Sequence, residues 1–281
     1  MFEKQTALLK KFSQLVDQEP HVNTEVTPDQ HLRVGVDLGT STIVFVVLNE
    51  NNVPIYGESI RDHAVRDGIV VNYREAVDIV THMRERAQSQ LNVTLKSAAG
   101  AIPPGVSAAN SKAVANVIED SGMHCSDVVD EPTAAATMLG ITDGTIVDVG
   151  GGTTGISLFQ DGHLLRVGDE PTGGYHMTLV LAGNRQLDHD AAEQLKRDPT
   201  QQNNVFMVVK PVVENMAHIT DRVTNHHLVQ PVVVVGGATN FDAFASTFSK
   251  QLGVPVMGMP NPDFVTPIGI AMSDKGAASD G

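Results

Sequence analysis

A single cysteine, a shortage of basic side chains and the absence of any membrane-length apolar run set the first limits. Cys125 has no partner with which to close an intrachain disulfide, which fits a reducing compartment. It sits in Met123-His124-Cys125-Ser126-Asp127, with no metal-type spacing, and reads as an inert, partly buried thiol. Against 33 acidic residues stand 19 basic ones, a formal net charge of −14. A field of that sign repels phosphate backbones and disfavours nucleic acid as a partner. A phosphate ligand stays compatible, provided backbone N–H groups, a metal and a few local cations hold it. No apolar run approaches the ~18–20 residues that span a bilayer. Met1-Phe2-Glu3-Lys4-Gln5-Thr6 lacks the apolar core and cleavage site of a signal peptide. These absences predict a soluble, cytoplasmic chain without membrane contact.

Several chemistries lack their motifs. There is no GxxxxGK[ST] phosphate loop, no HExxH and no GxSxG elbow. Asp188-His189-Asp190 and His226-His227 have no cysteine partners and read as surface residues. Gly150-Gly151-Gly152-Thr153-Thr154-Gly155 satisfies GxGxxG after a strand, but a dinucleotide site needs a helix next. The next residues, Ile156-Ser157-Leu158-Phe159, alternate like a strand, so the dinucleotide reading is rejected.

What is present is an α/β texture. The 281 residues suffice for one large or two smaller domains, and 41% hydrophobic residues make a globular core. Residues 1–30 stand apart. Phe2, Leu8, Leu9, Phe12, Leu15 and Val16 fall near one helical face, with Lys4, Lys10 and Lys11 off it. Glu19-Pro20 and Thr27-Pro28 then break the pattern. The segment reads as an amphipathic helix plus linker, packed on its own domain or docked on a partner.

From Leu32 the strand and helix signals run in an order that repeats. Asp37–Asn49 and Asp148–Asp161 both read strand, aspartate, small-residue turn, returning strand. Each aspartate ends a buried strand beside a turn whose backbone N–H groups can approach a phosphate. Two carboxylates near a polyphosphate suit Mg²⁺, which keeps several waters. One such hairpin alone is as readily an ordinary turn; two in one chain favour the phosphate reading. A third motif, Val232-Val233-Val234-Val235-Gly236-Gly237-Ala238-Thr239, runs a buried strand into two glycines, where a ribose or flat ring could lie on bare backbone. A plain strand–helix turn would also explain it.

Together these residues resemble the DnaK-type heat-shock ATPases of the actin superfamily. Asp37-Leu38-Gly39-Thr40-Ser41 is similar to their first phosphate motif and Asp148-Val149-Gly150-Gly151-Gly152-Thr153-Thr154 to their second. Glu131-Pro132-Thr133-Ala134-Ala135-Ala136 resembles their connecting motif, and Gly236-Gly237-Ala238-Thr239 their adenosine motif. The resemblance covers about Arg33 to Met272. Compact length and the runs Arg66-Asp67-Gly68-Ile69-Val70-Val71 and Lys210-Pro211-Val212-Val213-Glu214 resemble the superfamily's ethanolamine-utilisation branch.

The resemblance implies two ribonuclease H-like domains with ATP or ADP in a cleft between them. The expected division is 1–30 as helix and linker, 31–132 plus 264–281 as one domain, and 133–263 as the other. It implies that Asp37 and Asp148 hold hydrated Mg²⁺ and that Glu131 orients the attacking water. Gly39, Thr40, Ser41, Gly151, Gly152 and Thr153 would cradle the phosphates, with Gly236 and Gly237 at the nucleoside. Glu193, Lys196 and Arg197 match a Glu-x-x-Lys-Arg pattern that would touch ribose and adenine. They could equally be a helix pair at i,i+4. Two features depart from the family. Lys96 and Lys112 are the only lysines between Asp37 and Glu131, and neither has the context of the chaperones' catalytic lysine. The chaperones' β-rich peptide-binding domain has no counterpart here.

Three functions are compatible. The first is an ATP-dependent, chaperone-like accessory of ethanolamine utilisation in bacterial microcompartments, with slow Mg-dependent hydrolysis at most. Its partners would be pathway enzymes, shell proteins or further copies of itself. The second is a polymerising actin-like ATPase in the manner of MreB or FtsA. The third is a small-molecule kinase, for which the first half is short.

Overall fold

The computed structural model of the chain describes residues 2–17, 26, 30–62, 64–66, 69–105 and 107–276. Most of the expected linker, 18–29, lies outside them. The chain forms two compact units, Met1–Ile141 with Phe264–Gly281, and Thr142–Asp263.

The first unit contains, in order, α1 (Glu3–Asp17), β1 (Arg33–Leu38), β2 (Thr42–Leu48), β3 (Pro54–Arg61), β4 (Val65–Arg66), β5 (Ile69–Val70), α2 (Tyr73–Leu91), β6 (Ser97–Ile102), α3 (Ala108–Asp120), β7 (His124–Asp130) and α4 (Glu131–Leu139). The second contains β8 (Gly144–Val149), β9 (Thr154–Gln160), β10 (His163–Glu170), α5 (Gly174–Arg185), α6 (His189–Arg197), α7 (Gln202–Val223), β11 (Val232–Val235), α8 (Phe244–Leu252) and β12 (Val256–Gly258). The last helix, α9 (Val265–Met272), returns to the first unit.

Both sheets have five strands in the same plan. The first runs β3-β2-β1-β6-β7 and the second β10-β9-β8-β11-β12. In each, the three sequential strands pair antiparallel and the two later ones add in parallel. The duplication read in the sequence is thus a duplication of topology. β4 and β5 form a separate two-stranded ribbon.

Side chains alternate across the first sheet, as a period of two requires. Val34, Val36 and Ala98 join the core beneath α2 and α3, together with Val80, Met83, Val117 and Ile118. The other side of β1 and β6 carries small residues. Ala99 and Ala101 cluster there with Ala134 of α4 and Ile270 of α9. Gly35 lets α9 approach so closely that an added Cβ would lie 2.5 Å from the Ala271 nitrogen. Gly269 is as tight against the Ala134 backbone, where a Cβ would overlap the carbonyl. This is why the unit boundary falls after Ile141 and α4 stays whole, where the sequence reading divides the chain at 132/133. The second core is built by Val147, Ile156 and Val234 of the sheet against Met177, Leu181, Val209, Val213, Phe244 and Phe248 of the helices.

The carboxylate of Asp274 is 3% exposed and closes the first sheet at the amino ends of its parallel strands. It accepts from the Val34 N–H at 2.9 Å, the Ser97 hydroxyl at 3.3 Å and the Ser126 hydroxyl at 2.6 Å.

The N-terminal helix packs at home. Leu9 and Phe12 are fully buried, while Lys4, Lys10 and Lys11 are exposed. Phe12 meets Phe264 edge-on, with centroids 5.0 Å apart. It fits over Gly57 of β3, where a Cβ would stand 2.5 Å from its ring. The Gln5 amide donates to the Leu139 carbonyl at 3.1 Å. The alternative of a docking helix is thereby corrected: its stripe already has a partner. Phe12→Ala is expected to lower stability by about 3–5 kcal/mol, the usual loss for a buried aromatic. Urea unfolding with an unchanged midpoint would contradict this packing.

Candidate functional site

In the first unit, β1 ends on Asp37-Leu38 and turns at once into β2. Asp37 pairs with Val44 and Leu38 with Ile43. The Gly39 N–H donates to the Thr42 carbonyl at 3.1 Å and closes the turn. An added Cβ on Gly39 would come within 2.8 Å of that carbonyl, so the turn demands glycine. Thr40 and Ser41 occupy its tip and are half-buried.

β6 and β7 run parallel to β1, and their last residues, Ile102 and Asp130, are paired. Glu131 is the first residue of α4. Asp130 caps that helix by accepting from the Thr133 N–H at 2.9 Å, and Pro132 suits its first turn. Asp37 and Glu131 therefore stand at the same edge of one sheet, the carboxyl ends of its parallel strands. That edge is where open α/β sheets present ligand groups.

The second unit repeats the edge. Asp148 is 7% exposed and pairs with Gly155 on one side and Val235 on the other. The Gly150 N–H donates to Thr153 at 3.0 Å, matching Gly39 and Thr42 residue for residue. The turn tip here is Gly151-Gly152. Among the described residues, the N–H groups of Gly151 and Gly152 meet no hydrogen-bond acceptor. The chain then enters β9, a strand as expected, which disposes of the dinucleotide motif.

Beside Asp148, β11 ends and Gly236 takes φ +90°. An added Cβ there would strike the Asp148 carboxylate and the Val149 carbonyl. Gly237 is less constrained; its nearest neighbour would be the Asp263 Cβ at 3.5 Å. Gly237–Thr239 form a single 3₁₀ turn, and α8 begins at Phe244.

The sequence reading missed Gly173 and Gly174, which the structure sets against the second hairpin. The Gly174 N–H donates to the Gly150 carbonyl at 2.9 Å and the Tyr175 N–H to the Gly151 carbonyl at 2.8 Å. A Cβ on Gly173 would sit 2.7 Å from the Gly151 oxygen and 2.8 Å from the Gly150 oxygen. A glycine pair between a strand and a helix was the available signal.

Glu193, Lys196 and Arg197 on α6 join this same region. Lys196 Nζ lies 2.9 Å from the Gly174 carbonyl, 2.8 Å from the Thr178 hydroxyl and 2.7 Å from Glu193 Oε2. Arg197 Nε donates to Glu193 Oε1 at 2.6 Å. Burial alone would raise the Glu193 carboxyl, but Lys196, Thr178 and Arg197 outweigh it and hold the group at about 2.

Other titratable candidates stay outside these edges. Burial, reinforced by Glu119, pushes the Cys125 thiol up to about 11, which fits an inert thiol. His226 pairs with Asp221 at 2.7 Å on the surface. Among the described residues, no group of three or more His, Cys, Asp or Glu could cage a metal.

A family model described as MreB/Mbl protein matches residues 58–181. The ethanolamine utilization protein EutJ of Salmonella typhimurium is 35% identical over 274 residues, which are 97% of this chain and 95% of that protein. The crystal structure of ethanolamine utilization protein EutJ from Carboxydothermus hydrogenoformans superposes with a TM-score of 0.87 at 39% identity, covering 96% of this chain and 98% of that one. MreB5 of Spiroplasma citri bound to ADP has a TM-score of 0.69 at 17% identity, covering 87% and 96%. The fold is accordingly the duplicated actin/MreB type that the motifs imply.

The depressed Glu193 carboxyl makes a pH prediction. Because its folded pKa lies below the ordinary 4.5, its contribution is full above pH 4.5 and is lost as pH falls towards about 2. The stability gap between the wild type and Glu193→Gln should be on the order of 2–3 kcal/mol near neutrality. It should shrink through that acid window. A gap that is constant from pH 7 to pH 2 would refute the assignment.

Proposed function

The chain belongs to the EutJ family of ethanolamine utilization proteins, and from this premise we propose that it is an adenine-nucleotide-binding accessory of ethanolamine utilisation. The observation that carries the reading is the repeated edge: in each sheet a central strand has an aspartate as its penultimate residue, beside a turn closed by the same N–H to carbonyl bond. In the second unit two N–H groups at the turn tip are unengaged by the described residues, the condition for receiving an anion.

Gly39, Thr40 and Ser41 of one unit and Gly151, Gly152 and Thr153 of the other are assigned to the nucleotide's phosphates. Gly236 and Gly237 are assigned to its nucleoside. Of the α6 trio, Arg197 keeps the most exposed side chain, at 39%, and is the one best able to reach a ligand. Mg²⁺ held through water suits the carboxylate that each edge offers, Asp37 in one unit and Asp148 in the other. A hydrated Mg²⁺ on Asp37 and Asp148 would neutralise phosphate charge, in keeping with that ion's reluctance to shed water. Glu131, at the N-terminus of α4, is assigned to hold or accept a proton from an attacking water.

Hydrolysis is expected to be slow. Lys96 lies just before β6, at the opposite end of that strand from the Asp37 edge, and Lys112 is exposed on α3. Neither supplies the buried cation that would stabilise charge on a transferring phosphoryl group. A chaperone-like role towards pathway enzymes or shell proteins, in the cytoplasm or at a microcompartment, is the biological setting this reading suggests. The MreB/Mbl match favours a second reading, nucleotide-dependent self-association. ATP-dependent pelleting at high speed would select it.

Two measurements test the first reading. Calorimetry and thermal melts should register ATP and ADP with Mg²⁺, with a stabilisation of ~2.7 kcal/mol at ~100 times the dissociation constant. Absence of both heat and thermal shift would end the proposal. Asp37→Asn and Asp148→Asn should weaken the Mg²⁺ dependence of binding. Glu131→Gln should leave affinity nearly intact and lower turnover by ~10²-fold or more. Loss of binding in Glu131→Gln would overturn its assignment.

A further inference from the structure

Lys196 has three N–H donors and no acceptor. The structure gives each donor an acceptor: the Gly174 carbonyl at 2.9 Å, the Thr178 hydroxyl at 2.8 Å and Glu193 Oε2 at 2.7 Å. Its side chain is only 10% exposed. A lysine so engaged has no donor left for a ribose or an adenine. Its partners do not scatter. Gly174 and Thr178 are one turn apart on α5, and the first turn of that helix is what grips the second hairpin.

The grip is directional. The carbonyls of Gly150 and Gly151 accept from the N–H groups of Gly174 and Tyr175 at 2.9 and 2.8 Å. A trans peptide is planar, with its C=O and N–H pointing to opposite sides. The carbonyl of Gly150 shares its plane with the N–H of Gly151, and the carbonyl of Gly151 with the N–H of Gly152. Tying both carbonyls to α5 therefore turns both N–H groups away from it. Those are the two donors that meet no acceptor among the described residues. Gly173 permits the approach, since a Cβ would collide with both carbonyl oxygens.

We propose that Lys196 is a positioning residue for this hairpin: with Glu193 and Thr178 it holds the first turn of α5, which fixes the direction of the Gly151 and Gly152 N–H groups towards phosphate. The inference rests on the nucleotide reading above, and it assigns Lys196 to the phosphate end of the ligand without contact. The chain of contacts runs from α6 to α5 to the turn, and each step is a hydrogen bond. It also gives Glu193 a definite task. Its Oε2 anchors Lys196 while its Oε1 receives Arg197, so the ammonium stays beneath α5.

The test uses the full chain labelled with ¹⁵N-glycine, as wild type, Lys196→Gln and Thr178→Val. Two quantities are read: affinity for ADP, AMP and adenosine, and the backbone order parameters of Gly151 and Gly152 without nucleotide. Lys196→Gln should weaken ADP about tenfold, the worth of one charge-assisted bond, and leave adenosine within roughly twofold. The two glycine amides should fall from a rigid ~0.85 towards ~0.6 while other glycines hold. Thr178→Val should move the same amides in the same direction, and it decides the matter if Lys196→Gln does not fold. A common loss for ADP, AMP and adenosine, with unchanged order parameters, would make Lys196 a nucleoside contact and overturn the proposal. If the wild type binds no nucleotide, the functional reading falls. The order parameters of the ligand-free proteins still decide whether Lys196 sets the turn.

Discussion

One hydrogen bond, made twice, organises the chemistry of this chain. At the end of each central strand a glycine N–H closes on the carbonyl three residues later, Gly39 on Thr42 at 3.1 Å and Gly150 on Thr153 at 3.0 Å. The closure sends the strand back antiparallel on itself and sets the register that places Asp37 opposite Val44 and Asp148 opposite Gly155. Because later strands add in parallel, other chain segments arrive at the same edge. In the first unit the arrival is Asp130 with Glu131; in the second it is Gly236. Neither edge would collect these groups if the turn were longer or unclosed.

The two edges share a plan and differ in finish. The first turn carries the hydroxyls of Thr40 and Ser41 and faces a helix start with a carboxylate. The second is bare glycine backed by the N-terminus of α5. Gly236 passes so near Asp148 that even alanine is excluded there. A duplicated scaffold thus carries a carboxylate at a helix start on one side and bare backbone N–H groups on the other.

Much of this was legible in the sequence, for identifiable reasons. In Tyr73–Leu91 the apolar spacing of Ala76, Val80, Met83 and Ala87 agrees with the flanking residues, Asn72 capping the helix and Asn92 ending it in a left-handed conformation. The hairpins were visible because their alternation and small-residue turns occur twice. What stayed hidden depends on partners distant in sequence. β12 has three residues and exists only because β11 offers it an edge. Gly173 and Gly174 look like a loop until the Gly150 and Gly151 carbonyls appear above them. The stripe on α1 shows that the helix needs a partner, while the notch at Gly57 and the ring of Phe264 that satisfy it lie far along the chain. Lys196 fits a family pattern by spacing, yet its three engaged donors are visible only in three dimensions.

The closing role of Asp274 has a consequence for how the protein is made. The second unit is one continuous stretch, Thr142–Asp263, and the first is completed only by the residues after it. While the chain leaves the ribosome, the small-residue face of β1 and β6 lacks the part of its cover that α9 supplies, since α9 has not yet been translated. The Val34 N–H and the Ser97 and Ser126 hydroxyls likewise wait for their shared carboxylate. The usual order of synthesis, first domain first, is inverted here. The later-encoded unit can finish while the earlier one is still open, and the last helix acts as the keystone of the half that was begun first.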